Sequence, residues 1–116
     1  MGKGSLRESA DPLFLLLREG RIEDFNHRRQ DGARFDFTSC NFRGMDLRGA
    51  DVHGIDFSDC YFRQSDLRGL DLRSCRLEGA SLHGAHISGT YFPVELAADE
   101  IDLSVKVGTR LRYRPR

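Results

Sequence analysis

Catalysis or metal binding in this chain would have to come from four histidines and three cysteines, His27, His53, His83, His86, Cys40, Cys60 and Cys75. Only His83 and His86 are close in sequence, and no third ligand accompanies them. An odd number of cysteines without a Cys-x-x-Cys pair argues against a zinc site and a disulfide framework alike. There is no phosphate-binding glycine loop, no dinucleotide fingerprint and no Ser-His-Asp set that the sequence places together. The expectation is a protein with no catalytic residues, no metal and no cofactor. What remains is recognition chemistry, carried by Arg43, Tyr61, Arg63, Gln64 and His83. A planar guanidinium suits a carboxylate, and Arg and Tyr are enriched at the energetic centres of protein interfaces.

These five residues belong together because of a period. From Phe35 to Phe92 every fifth residue is large and apolar: Phe37, Phe42, Leu47, Val52, Phe57, Phe62, Leu67, Leu72, Leu77, Leu82, Ile87 and Phe92. Two places before each stands an apolar or small residue, Cys40, Ala50, Cys60, Ser65 and Ala85 among them. A period of five fits neither a helix, near 3.6, nor a strand, near 2. A spacing of two between inward residues is local β geometry, however, and the polar remainder of each unit must turn the chain. Glycine recurs two places after the central residue, as at Gly44, Gly49 and Gly54, where a corner needs a backbone that most side chains resist. Four such units close one coil, and coils stack into a solenoid. The inward set, Phe37, Phe42, Leu47, Phe57, Phe62, Leu67, Leu72, Leu77, Leu82, Ile87 and Phe92, is the expected core.

The units MDLRG, ADVHG, SDLRG and LDLRS resemble the pentapeptide repeat family, whose consensus is close to A-(D/N)-L-x-x. CRLEG, AHISG and TYFPV keep the central apolar residue but lose the acid or amide before it. A leucine-rich repeat would instead show one asymmetric motif per coil. The resemblance implies a β-solenoid, a right-handed quadrilateral β-helix, here of about three coils at 35–54, 55–74 and 75–94. Stacked at the usual inter-strand spacing, they rise about 15 Å. The cysteines fall at the small inward position, where a reduced thiol behaves as a small hydrophobe.

The flanks have to close this solenoid, whose ends expose apolar interior and unpaired backbone. Residues 1–10 read as a loose leader, and 1–34 as leader plus N-terminal helical cap. Asp11-Pro12 is a helix start, with Asp as N-cap and Pro in the first turn, and Gly20 is its stop. A second helix fits Ile22 to Arg29. The apolar run Leu13–Leu17 either covers the first coil or docks a partner. Residues 95–116 form a C-terminal cap and basic tail. Between Ala97 and Val107, Gly108 suits a helix stop, whereas the alternation of Ile101, Leu103, Val105 and Val107 suits a strand; similar tails in the family favour the helix.

Net charge is +0 from 18 basic and 18 acidic residues in 116, which gives no overall attraction to nucleic acid or an anionic membrane. Direct nucleic-acid binding is therefore not expected, and four tail arginines with one tyrosine are a weak signal for it. Leu13–Leu17 is too short to span a bilayer, and no signal peptide or myristoylation pattern is read at the N-terminus. The expectation is a cytoplasmic protein of bacterial type.

Outward residues sort into four faces. The first is acidic (Asp36, Asp56, Asp59, Glu78). The third and fourth interleave acids with bases: Asp46, Arg48, Asp66 and Arg68 on one, Asp51, His53, Asp71 and Arg73 on the other. On the second, Asn41, Tyr61 and Ser81 replace the acid, so Arg43, Arg63 and His83 line up without acidic neighbours. The expected function is a small rigid adaptor whose second face, through Arg43, Tyr61, Arg63, Gln64 and His83, binds a protein partner; the competing explanation is repeat drift without function. A homodimer through a terminal coil or cap is left open. The alternative implied by the family is a DNA-mimicking protein that binds a type II topoisomerase as gyrase inhibitor or protector. That role needs a long acidic rod, and this solenoid is short and nearly neutral.

Overall fold

The computed structural model describes Leu6 and residues 9–115; most of the expected leader lies outside the described residues. Among the described residues three helices flank a coiled middle: α1, Pro12–Arg18; α2, Ile22–Gln30; and α3, Ala98–Val107. Asp11 caps α1, its carboxylate accepting from the Leu13 amide at 2.8 Å. α3 resolves the helix-or-strand alternative, ending on Gly108 in the left-handed conformation at φ 82°.

Between the helices the chain repeats its path every twenty residues. Parallel bridges join Asn41 to Tyr61 and Tyr61 to Ser81, Asp46 to Asp66 and Asp66 to His86, Asp56 to Arg76, and Asp71 to Tyr91. Each is a single bridge, and no longer strand occurs among the described residues. The reason is the unit length: with two of five residues spent on a turn, one residue per side remains to pair with the coils above and below. Asp66 shows the pattern, its amide donating up to Met45 O at 2.8 Å while its carbonyl accepts from Leu47 N at 3.0 Å.

The acid or amide of each unit is a turn residue. Oδ1 of Asp36, Asn41, Asp46, Asp51, Asp56, Asp66 and Asp71 accepts from the amide two residues on, at 2.9 to 3.2 Å. This local acceptor makes Asp or Asn suited to a corner. The small inward residue has a role that periodicity does not reveal. Cys60 Sγ and Ser65 Oγ donate to the Phe37 and Phe42 carbonyls at 2.8 and 2.6 Å, and Cys75 Sγ to Val52 O at 3.1 Å. None of the three cysteines is in a disulfide, and all are buried. Burial pushes the Cys60 thiol well above its ordinary range and Cys75 up to about 11, so neither is a ready nucleophile at neutral pH.

Within the coils the side chains stack as the period requires. Phe42 lies over Phe62 with ring centroids 5.2 Å apart, Phe37 over Phe57 at 6.2 Å. Phe14 of α1 seats on Phe42 at 5.2 Å and Phe25 of α2 on Phe37 at 6.3 Å, both fully buried. The Leu13–Leu17 run is therefore cap rather than free docking surface, with Leu15 alone in it exposed. Two expected core residues depart from the pattern: Ile87 and Phe92 are only partly buried. They stand on the last coil, with no coil beneath them.

The C-terminal segment closes that lower end on the first two faces. Leu77 N donates to Tyr113 Oη at 2.8 Å, Gly79 N to Leu111 O at 2.8 Å, Leu82 N to Ser104 Oγ at 2.9 Å and Gly84 N to Val105 O at 2.9 Å. Each amide corresponds to one that, in higher coils, bonds to the coil below.

Candidate functional site

Outward residues on a common backbone differ by what their neighbours do to them. On the third face, Arg48 holds Asp46 at 2.7 Å and reaches Asp66 at 3.3 Å, while Arg68 holds Asp66 at 2.7 Å. The hydrogen bond from Arg68 keeps the Asp66 carboxyl well below the usual range. On the fourth, Arg73 holds Asp71 at 2.8 Å and lies over the Tyr91 ring at 4.9 Å; the bond from Arg73 draws Asp71 down to about 2. On the first, Arg76 stands 3.7 Å from Glu78. The third face and the Asp71–Arg73 pair of the fourth are thus self-neutralised, while the first face, with one such contact, stays predominantly acidic.

Among the described residues the second face is not neutralised in this way. Asn41 supplies the corner acceptor, 3.0 Å from the Arg43 amide, and so fills the structural role of Asp without its charge. Arg43 is exposed and has no ion-pair partner among the described residues. One coil below, Tyr61 provides no such acceptor; its hydroxyl accepts from Arg63 Nη1 at 2.8 Å. Tyr61 and Arg63 are half-buried and form a phenol–guanidinium plate. Gln64 is exposed, with φ 59° at the corner usually held by glycine, and an added Cβ on Gly84 would meet its Cγ at 3.3 Å.

His83 corrects the expected stripe. It is half-buried, and a Cβ on Gly108 would lie 3.2 Å from its ring. Beside it Ser81 is buried, its hydroxyl donating to Gly108 O at 3.1 Å and its backbone bridging antiparallel to Arg110. The period tells that His83 points outward from the coil. It does not tell that the chain, having left the coil, returns over that corner. Arg43, Tyr61, Arg63 and Gln64 thus form an open patch, and the tail's edge bounds it at His83.

At the upper end the patch runs into a groove that sequence reasoning missed. Leu17, Arg18, Glu19 and Gly20, from the end of α1, face Asn41, Arg43, Gly44, Met45 and Asp46 across about 550 Å³. The signal was present in the spacing of Leu13, Phe14 and Leu17: seating that face on the first coil brings the C-terminus of α1 over the second side. Two of the tail arginines are also engaged. Arg110 donates to Gly79 O at 2.6 Å, and Arg112 pairs with Glu100 at 3.1 Å.

Among the described residues no cluster of three metal-ligating side chains occurs, and no helix is long and apolar enough to cross a membrane. No curated protein and no solved structure matches the chain significantly. The family profile described as Pentapeptide repeats matches residues 33–54 and 55–92 in eight copies. That is the stretch where twenty-residue bridging, Asx corners and inward apolar columns coincide, and the chain belongs to the pentapeptide repeat family.

Proposed function

We propose that this chain is a non-catalytic, cytoplasmic protein-interaction module, a rigid peg built as a right-handed quadrilateral β-helix, which docks a protein partner through Arg43, Tyr61, Arg63 and Gln64. One observation carries the reading. Of the arginines in the coils, Arg48, Arg68, Arg73 and Arg76 each have a carboxylate within ion-pair distance, whereas Arg43 and Arg63 have none among the described residues. A guanidinium left without a carboxylate beside a half-buried tyrosine is suited to an anionic or mixed protein surface. The topoisomerase-binding alternative draws less support, because Asp46, Asp66 and Asp71 are each paired with an arginine and present no phosphate-like row.

The test is affinity capture from host lysate with the wild-type chain and a Tyr61→Ala/Arg63→Glu variant whose fold is verified by circular dichroism. A partner held by wild type and lost by the folded variant supports the reading; one held equally by both overturns it. Recovery of topoisomerase subunits would favour the DNA-mimicking alternative.

A further inference from the structure

Backbone accounting at the upper coil locates an open station next to this patch. Inside the solenoid each bridging residue offers both its amide and its carbonyl to the coil above, as Asp66 does to Met45 and Leu47. In the first coil the same groups must find something else. On the fourth face α2 provides it: the Asn26 side chain accepts from Asp51 N at 2.7 Å and donates to Gly49 O at 3.1 Å, and Arg29 donates to the carbonyls of Asp51 and His53. On the third face, at the rim of the groove, neither the amide nor the carbonyl of Asp46 has a partner among the described residues. Among the described residues Asp46 is therefore a pairing edge one residue long, open on the side where a coil above would lie.

Three features specify what fits there. Two groups on one residue, an N–H and a C=O facing the same way, are matched by an extended main chain; a helix has already used its own. The floor is apolar, with Leu17 and Met45 buried or nearly so. Among the described residues the groove charge that lacks a partner is positive: Glu19 lies 3.6 Å from Arg21 and Asp46 is held by Arg48 at 2.7 Å, which leaves the Arg43 guanidinium unmatched beside the edge. A second copy's coil would bring its own end caps against α1 and α2, whereas a single extended segment needs only the groove.

We propose that the groove binds an extended acidic segment of a partner protein, its backbone pairing with Asp46 and a carboxylate meeting Arg43. This rests on the reading of the second face as an interaction surface and names the kind of partner it takes. The probe is a capped octapeptide of alternating valine and glutamate, titrated into ¹⁵N-labelled full chain, with alternating valine and lysine as its counterpart. The expected result is a shift and slowed hydrogen exchange of the Asp46 amide with the acidic peptide only, and a dissociation constant at least tenfold weaker in Arg43→Gln, a variant that breaks no ion pair among the described residues. Equal binding of the lysine peptide, an Asp46 amide unmoved at millimolar peptide, or unchanged affinity in Arg43→Gln would overturn it. So would protection of the same amide by self-association without peptide, which would make a second copy the occupant. If the peptide fails while Tyr61→Ala/Arg63→Glu still abolishes partner capture, the groove falls and the face remains an interaction surface. If the peptide binds while capture is indifferent to that variant, the groove stands without the Tyr61–Arg63 plate.

Discussion

The second and third faces share a backbone, a corner geometry and an apolar interior, yet among the described residues one exposes an arginine without a carboxylate and the other a closed charge ladder. The difference comes down to the residue before the central apolar one. Asp46 and Asp66 both shape the turn and neutralise the arginine two places on. Asn41 shapes the turn alone, and Tyr61 replaces the carboxylate by a neutral hydroxyl. Structural and electrostatic roles that coincide in aspartate are thereby separated, and a face can change its charge without disturbing its fold. Exposed ion pairs contribute little individually, so the loss of acid on the second face carries little penalty in stability.

If the two faces differ only on the outside, emptying the interior should damage either one severely. Phe42→Ala removes a ring that touches Phe14, Phe37, Phe57 and Phe62, and the expected loss is about 3–5 kcal/mol by urea denaturation. Leu47→Ala, behind the third face, should lose about 2–5 kcal/mol. A Phe42→Ala chain within 1 kcal/mol of wild type would mean that α1 and the coils are not one cooperative core.

The lower end sharpens the contrast, because the C-terminal cap grips the second face and, among the described residues, makes no backbone bond to the third. Ser104 is fully buried, accepts from Leu82 N and donates to Thr109 O at 2.6 Å. Ser104→Ala leaves both groups without a partner, and a loss of about 1–3 kcal/mol is expected. Amide exchange should then accelerate at Leu82 and Gly84 and leave Asp66 unchanged.

Acid should act on the other side. Asp66 and Asp71 have carboxyls depressed in the folded chain by their arginines, so the unfolded chain takes up protons first as pH falls. Their contribution is complete above the unfolded value near 3.8 and is lost as pH drops toward the folded values, about 2 for Asp71. Thermal unfolding between roughly pH 5 and 2 should therefore be steeper in wild type than in Asp66→Asn/Asp71→Asn, which retains the corner acceptors. Parallel slopes would remove these two pairs from the account.

Much of this was legible in the sequence because the repeat couples one residue type to one direction. Phe37 to Leu82 had to point inward in a five-residue period, and Asp11-Pro12 and Gly108 carry local capping chemistry that needs no tertiary information. The rest depends on contacts between distant segments. Ile87 and Phe92 satisfy the period but lack a coil beneath them. His83 points outward and is then covered by residues beyond Val107. The groove beside Arg43 exists only because α1 sits on the first coil. The thiol and hydroxyl bonds of Cys60, Ser65 and Cys75 were hidden because a small inward residue looks the same to a hydropathy pattern whether or not it carries a donor.

The gentlest substitution separates the two roles most directly. Asn41→Asp gives the second face the residue that the third already has: the corner acceptor stays, and Arg43 gains a carboxylate two places before it, in the relation of Asp46 to Arg48. Stability should change by no more than about 0.5 kcal/mol, as for a half-buried surface residue outside the apolar core whose corner acceptor is kept. Affinity for an acidic partner should nevertheless fall, because Arg43 would enter binding already paired and facing an added negative charge. The comparison is between the change in melting temperature and the change in partner or acidic-peptide dissociation constant. A variant that melts like wild type and binds several-fold more weakly assigns the second face's difference to charge. One that binds like wild type would mean that Arg43 is a bystander and that Asn41 is ordinary variation in a turn residue.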